Sequence, residues 1–185
     1  VSHGSEANLT DGKFEVRISG TAEFDIDVPY TWNGTAQSGI DYTALSGTVK
    51  ILAGSSTTMI PVIVLNDDFA EYTETLRLTL GTPTVAGLTV NPAAKSAQIL
   101  ILDNDVAGIA VTNRAVTVSE TGTTANIGVK LTSRPEVSVR VLIGFSDSTE
   151  ATAFGPGNST FLTFTSANWD VEQAVTIRGI DDALT

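Results

Sequence analysis

Cysteine is missing from the 185 residues, and disulfides, thiolate metal sites and thiol catalysis are excluded with it. The one histidine, His3, sits beside the N-terminus, so neither a Ser-His-Asp relay nor a histidine-bound zinc is expected. Long apolar runs are also lacking. Met59 to Leu65 and Ile99 to Leu102 fall far below the roughly 18 to 20 residues of a membrane helix, so no direct membrane insertion is expected. Basic residues are few, ten against twenty-one acidic, and the resulting charge of −11 repels nucleic acid and other polyanions while attracting cations. No initiator methionine or charged-then-apolar leader opens the chain, which reads as a processed product or an excised piece. What is present is globular: 42 % hydrophobic and 17 % charged residues can build a core.

Period-2 alternation rich in Val, Ile and Thr runs throughout, and no long stretch keeps a helical period, so the chain reads as all-β. Strands are predicted near Lys13–Ser19, Asp25–Trp32, Thr48–Leu52, Thr57–Leu65, Glu74–Leu80 and Ser96–Leu102. A second series follows near Ile109–Ser119, Ala125–Thr132, Val137–Gly144, Thr160–Thr165 and Gln173–Arg178. Ser5-Glu6 is echoed by Ser119-Glu120, and Asp67-Asp68 by Asp181-Asp182, both at an offset of 114 residues. The expected organisation is therefore two repeats, 1–105 and 106–185. The first strand of copy one is expected to be short or missing. Copy two ends soon after its Asp-Asp pair and is expected to lack its last two strands, leaving edges open to strand exchange or oligomerisation.

In antiparallel sandwiches joined by short connections, alternate strand ends share a pole. Glu6 then follows the first strand, Asp41 the third, Asp67 and Asp68 the fifth, and Asp103 and Asp105 the seventh. Parity alone gathers Glu6, Asp41, Asp67, Asp68, Glu71, Asp103 and Asp105 at one end of copy one. Such carboxylates raise one another's pKa unless a cation neutralises them, and calcium, with about six to eight loosely arranged oxygens, fits best. At the junction with Val106, bound ions would stiffen the tandem.

The same residues carry a family resemblance. Ser5-Glu6, Gly39-Ile40-Asp41-Tyr42, Ser46-Gly47-Thr48-Val49, Ala53-Gly54, Asn66-Asp67-Asp68-Phe69-Ala70-Glu71-Tyr72-Thr73-Glu74 and Asp103-Asn104-Asp105 resemble a Calx-beta domain across residues 1–105. That resemblance implies immunoglobulin-like antiparallel sandwiches in tandem. It implies calcium contacts from Glu6, Asp41, Asp67, Glu71 and Asp103, with Asp68, Glu74 and Asp105 as additional ligands. Asn66 departs from the pattern, standing where an aspartate is common if the spacing to Glu71 and Glu74 is kept. Copy two resembles the family through Glu120, Asp181, Asp182 and Phe164 to Gln173, yet Gly155 stands where Asp41 has its counterpart, so its calcium site is expected to be weak.

Asp103 to Arg114 fails as an EF-hand, because Ala107 and Arg114 occupy ligand places. Trp32 and Trp169 read as packing before sugar platforms. Asn8, Asn33 and Asn158 open glycosylation sequons that matter only in a eukaryotic secretory pathway. Nothing supplies a groove for a glycosidase acid/base pair, so no enzyme is expected. The expectation is a calcium-binding structural or adhesive module of a larger extracellular or cell-surface protein of bacterial type, with neighbouring domains and a cell-surface ligand as partners. A carbohydrate- or protein-binding accessory of a secreted enzyme, or a calcium sensor beside a membrane transporter, stand as alternatives.

Overall fold

The computed structural model describes residues 1–181. Asp182, half of the second Asp-Asp pair, lies outside the described residues. The chain is all-β, with thirteen strands and three single 3-10 turns among the described residues. It divides into two compact units: Val1–Asp67 with Glu71–Asn104, and Asp68–Ala70 with the chain from Asp105 onward.

The first unit holds β1 (Gly4–Ser5), β2 (Gly12–Arg17), β3 (Ile26–Gly34), β4 (Thr48–Ile51), β5 (Thr57–Val62), β6 (Glu74–Leu80) and β7 (Ser96–Leu102). Alternation decides which faces turn inward. Phe14 and Val16 of β2 are buried and lie among buried Ile60 and Val62 of β5, with Phe14 opposite Ile60 in the antiparallel register. Each such side chain contributes roughly 1.5 to 3 kcal/mol on full burial. Leu76 and Leu78 of β6 and Ile99 and Ile101 of β7 complete the other wall of the same core.

The larger sheet runs β1-β7-β6-β3-β4, beside the β2-β5 pair. Within it β3 changes partners at Pro29: Ile26–Pro29 pairs with β4, and Tyr30–Gly34 with β6. The first strand is short, as its sparse sequence predicted, and runs parallel to β7. Parallel alignment is what parity requires of strands one and seven. The single histidine helps hold it, because His3 Nδ1 accepts the Leu100 amide at 2.8 Å.

The second unit contains β8 (Ile109–Thr112), β9 (Thr124–Leu131), β10 (Val139–Leu142), β11 (Ala151–Phe154), β12 (Phe161–Phe164) and β13 (Gln173–Gly179). Its sheets are β11-β13-β9-β8 and the pair β10-β12, around Val129, Leu131, Leu162, Phe164 and Val175. Two sequence expectations are corrected here. The strand expected over Ile109–Ser119 stops at Thr112, where Asn113 turns into the left-handed region at φ 52°. Strand β11 was not expected, because Ala151, Thr152 and Ala153 give little alternation, yet it pairs in register with β13. Segment Asp68–Ala70 packs in this unit: Arg134 N donates to Asp68 O at 2.7 Å, and the Arg134 guanidinium lies 5.1 Å from the Phe69 ring centroid.

Candidate metal centre

Glu6 directly follows β1, and its amide continues the β1-β7 ladder by donating to Leu102 O at 2.9 Å. Backbone pairing therefore fixes the carboxylate that extends from it. Asp41 sits in a tight turn whose Ile40 and Asp41 amides both donate to Gln37 O. Gly39 makes that turn with φ +87°, a conformation that favours glycine. The Asp41 carboxylate accepts the Gln37 amide, and its neighbour Tyr42, 1 % exposed, bridges to Val64. Asp103 follows β7 and accepts the Glu71 amide at 2.9 Å, tying the β5-β6 loop to the end of β7. Glu74 opens β6.

These placements bring six carboxylates into two groups. Glu6, Asp103 and Asp105 each offer an oxygen within 4.8 Å of the others, and so do Asp41, Glu71 and Glu74. Glu6 and Asp41 are buried, at 4 % and 2 % exposure. Glu6 Oε2 has no hydrogen-bond partner. Burial first, then the charges of Asp67, Asp103 and Glu71, push its pKa up to about 7, against a partial opposing pull from the Asp67 backbone. Glu74 is driven up to about 8 by burial, by its hydrogen bond to the Asp41 carboxyl and by the charges of Asp41, Glu71 and Glu6. Two carboxyls that share a hydrogen bond must hold a proton between them or receive a cation.

Asp67 lies close enough to Glu6 to act on it by charge and backbone, though it belongs to neither group. Asp68 is exposed, belongs to neither group, and offers its carbonyl to Arg134. Asn66 departs from the aspartate pattern, and its amide braces the site. It accepts from Asn104 Nδ2 and donates to Asp67 O, both at 2.8 Å, tying two loops together. In the second unit Glu120 and Asp181 are exposed, and no group of three carboxylates forms there among the described residues. Trp32 is 37 % exposed and stands 6.0 Å from the Tyr30 ring, while Trp169 packs against the second core.

The donor set fits a hard divalent cation. All the ligands are oxygens, one is buried and unpartnered, and loop ends can supply the loose shell of about six to eight oxygens that calcium takes.

Fold and site define a β-sandwich tandem with an acidic, metal-competent loop end. The Calx-beta domain model matches residues 5–105 and again 103–182, so the chain belongs to the Calx-beta family of binding and regulatory modules. The chain is 30 % identical over 92 residues to the adhesion G-protein coupled receptor V1 of Danio rerio, which is 49 % of this chain and 2 % of the receptor. That relative gives no support to a bacterial origin. Among solved structures, the apo-form Calx CBD1 domain is similar at 24 % identity and a TM-score of 0.48, over 56 % of this chain and 91 % of that one. The CBD12 tandem of CALX1.2 is similar at 19 % identity and a TM-score of 0.49, over 100 % and 74 %. No helix among the described residues is long and apolar enough to cross a membrane.

Proposed function

We propose that the acidic end of the first unit binds calcium, and that the chain is a calcium-stiffened structural or adhesive module of an extracellular or cell-surface protein. The observation that carries this reading is Glu6, buried among carboxylates with Oε2 unpartnered. Glu6, Asp103 and Asp105 would hold one ion and Asp41, Glu71 and Glu74 another, with Asp67 and Asp68 on the adjoining loop contributing charge. Bound calcium supplies positive charge that lets these carboxylates stay ionised side by side. The protein's own part is to fix the donors. The Gln37–Asp41 turn presents Asp41, the β1-β7 ladder presents Glu6, and the Asp103–Glu71 bond closes the loop between them.

Asp103 to Asp105 lead by covalent connection into the second repeat, so ordering them restricts the joint. The adhesion receptor match supports an extracellular setting, and the tandem family match supports neighbouring domains as partners; a cell-surface ligand is part of the proposal. The test is a thermal melt in excess calcium, magnesium or chelator. Calcium at about a hundredfold over its Kd stabilises the folded unit by about 2.7 kcal/mol. The midpoint should rise in calcium, less in magnesium, and not at all in the Glu6→Gln, Asp41→Asn variant. Equal midpoints in calcium and chelator would defeat the reading.

A further inference from the structure

Residues 2 to 5 belong to both sheets of the first unit in turn. Ser2 is bridged antiparallel to Lys13 of β2, with Ser2 N donating to Lys13 O at 3.0 Å and Lys13 N to Ser2 O at 3.1 Å. Two residues on, Gly4 and Ser5 lie parallel to Ile101 and Leu102 of β7, in the other sheet. The crossing is made at His3. Glycine follows it because the passage is narrow: a Cβ on Gly4 would stand 2.6 Å from Val64 Cγ2.

A strand that changes sheets takes its carbonyls away from one ladder. Glu6 N donates to Leu102 O, and the two-residue period of a parallel ladder carries that pattern back to the Leu100 amide, with the Ser2 carbonyl as its acceptor. That carbonyl is turned to Lys13 instead. His3 Nδ1 takes its place and accepts the Leu100 amide at 2.8 Å, which requires a neutral ring with its proton on Nε2. A side chain stands where the backbone has left.

From that bond the ladder runs to the metal-competent oxygens. Gly4 and Ser5 pair with β7, the Glu6 amide closes on Leu102, and Asp103 comes next in the chain. We infer that His3 is a positioning residue for the group formed by Glu6, Asp103 and Asp105: it keeps β1 in register on β7 and so keeps the Glu6 carboxylate beside the other two. His3 gives no ligand atom to either carboxylate group. Without its acceptor, β1 spends part of its time off the ladder and Glu6 off the site. Apparent affinity then falls with the fraction of molecules in which the ligands are in place. This role rests on the calcium reading proposed for the same site.

The experiment is a calorimetric calcium titration of the full 185-residue chain at a temperature where every variant is folded, with amide hydrogen exchange at Leu100 followed in chelator. His3→Phe keeps an aromatic ring and deletes the acceptor. His3→Asn restores one, because its Oδ1 sits at much the same reach from the backbone as Nδ1. The position is exposed, so both variants should fold. His3→Phe should raise the calcium Kd by about threefold to tenfold, the worth of one net hydrogen bond, and speed exchange at Leu100. His3→Asn should return both toward wild type, whereas a ring that merely packs would leave His3→Phe normal and His3→Asn impaired. Unchanged calcium binding in His3→Phe, a Kd raised equally in both variants, or Leu100 exchange indifferent to the substitution would each overturn the inference and leave the calcium reading standing. A wild-type chain that binds no calcium would overturn both.

Discussion

Replacing Glu6 by glutamine should change the pH dependence of the metal-free protein in a way that can be worked out beforehand. The Glu6 pKa stands at about 7 in the folded chain against 4.5 without the fold, with burial as the main cause. A carboxyl whose pKa rises on folding keeps its proton longer in the folded state. Above 4.5 the unfolded chain therefore sheds that proton first, and stability is full below 4.5 and falls until the pH passes about 7. At about 1.36 kcal/mol per pH unit, the loss approaches roughly 3 kcal/mol for this one group. In a unit of this size that is on the order of 10 to 20 °C in Tm.

Glutamine has no such proton to lose, so Glu6→Gln should match the wild type near pH 4.5 and exceed it by up to roughly 3 kcal/mol near pH 8. Glu74, displaced to about 8 by burial first and then by its hydrogen bond with Asp41, continues the decline in both proteins. The assay is urea unfolding in chelator at about half-unit pH steps from 4.5 to 8.5, repeated with saturating calcium. Calcium should flatten the wild-type slope, because a bound cation holds the carboxylates ionised. A metal-free wild type whose stability is level or rises over this range would refute the reasoning, as would a variant whose profile is the same.

Three further outcomes follow from the geometry. Gly39→Ala places a side chain at φ +87° with nothing within 4 Å, so it should cost about 1 kcal/mol in a melt and weaken calcium binding by shifting Asp41. Leu76→Ala, at a site with no exposure, should destabilise the first unit by about 2 to 5 kcal/mol in chemical denaturation. Lys50→Met removes exposed ion pairs to Asp25 at 3.6 Å and Asp27 at 3.1 Å, which solvent screens, and should leave the midpoint of a thermal melt almost unchanged.

Strands could be read where one face is buried and the other wet, since that is what writes alternation into a sequence. Phe14 and Val16, Ile60 and Val62, and Leu76 and Leu78 announce β2, β5 and β6 in this way. Strand β11 could not, because all four of its residues are half-buried and small side chains carry no phase. At the site, parity could say which strand ends meet, because direction alternates along the chain whatever the side chains. It could not say that Glu74 would share a hydrogen bond with Asp41, a matter of a few ångströms set by loop conformation. Nor could it anticipate that Asn66 would join Asn104 to Asp67, since an amide there looks like a missing ligand until its partners are known.

The parallel pairing of β1 with β7 also sets how the first unit meets a pull along the chain. Tension enters at Val1 and leaves at Asn104, so it drags β1 and β7 in opposite directions along their shared ladder. Parallel strands loaded this way slide, and every hydrogen bond between them bears force at once, where a hairpin would unzip one bond at a time. This ladder is only two paired residues long, extended by the Glu6 amide to Leu102. Glu6 and Asp103 terminate its two strands and face one another across the same group of oxygens. An ion gripped by both would act as a rivet through a short lap joint, and the force at which the unit yields would be set by the calcium around it.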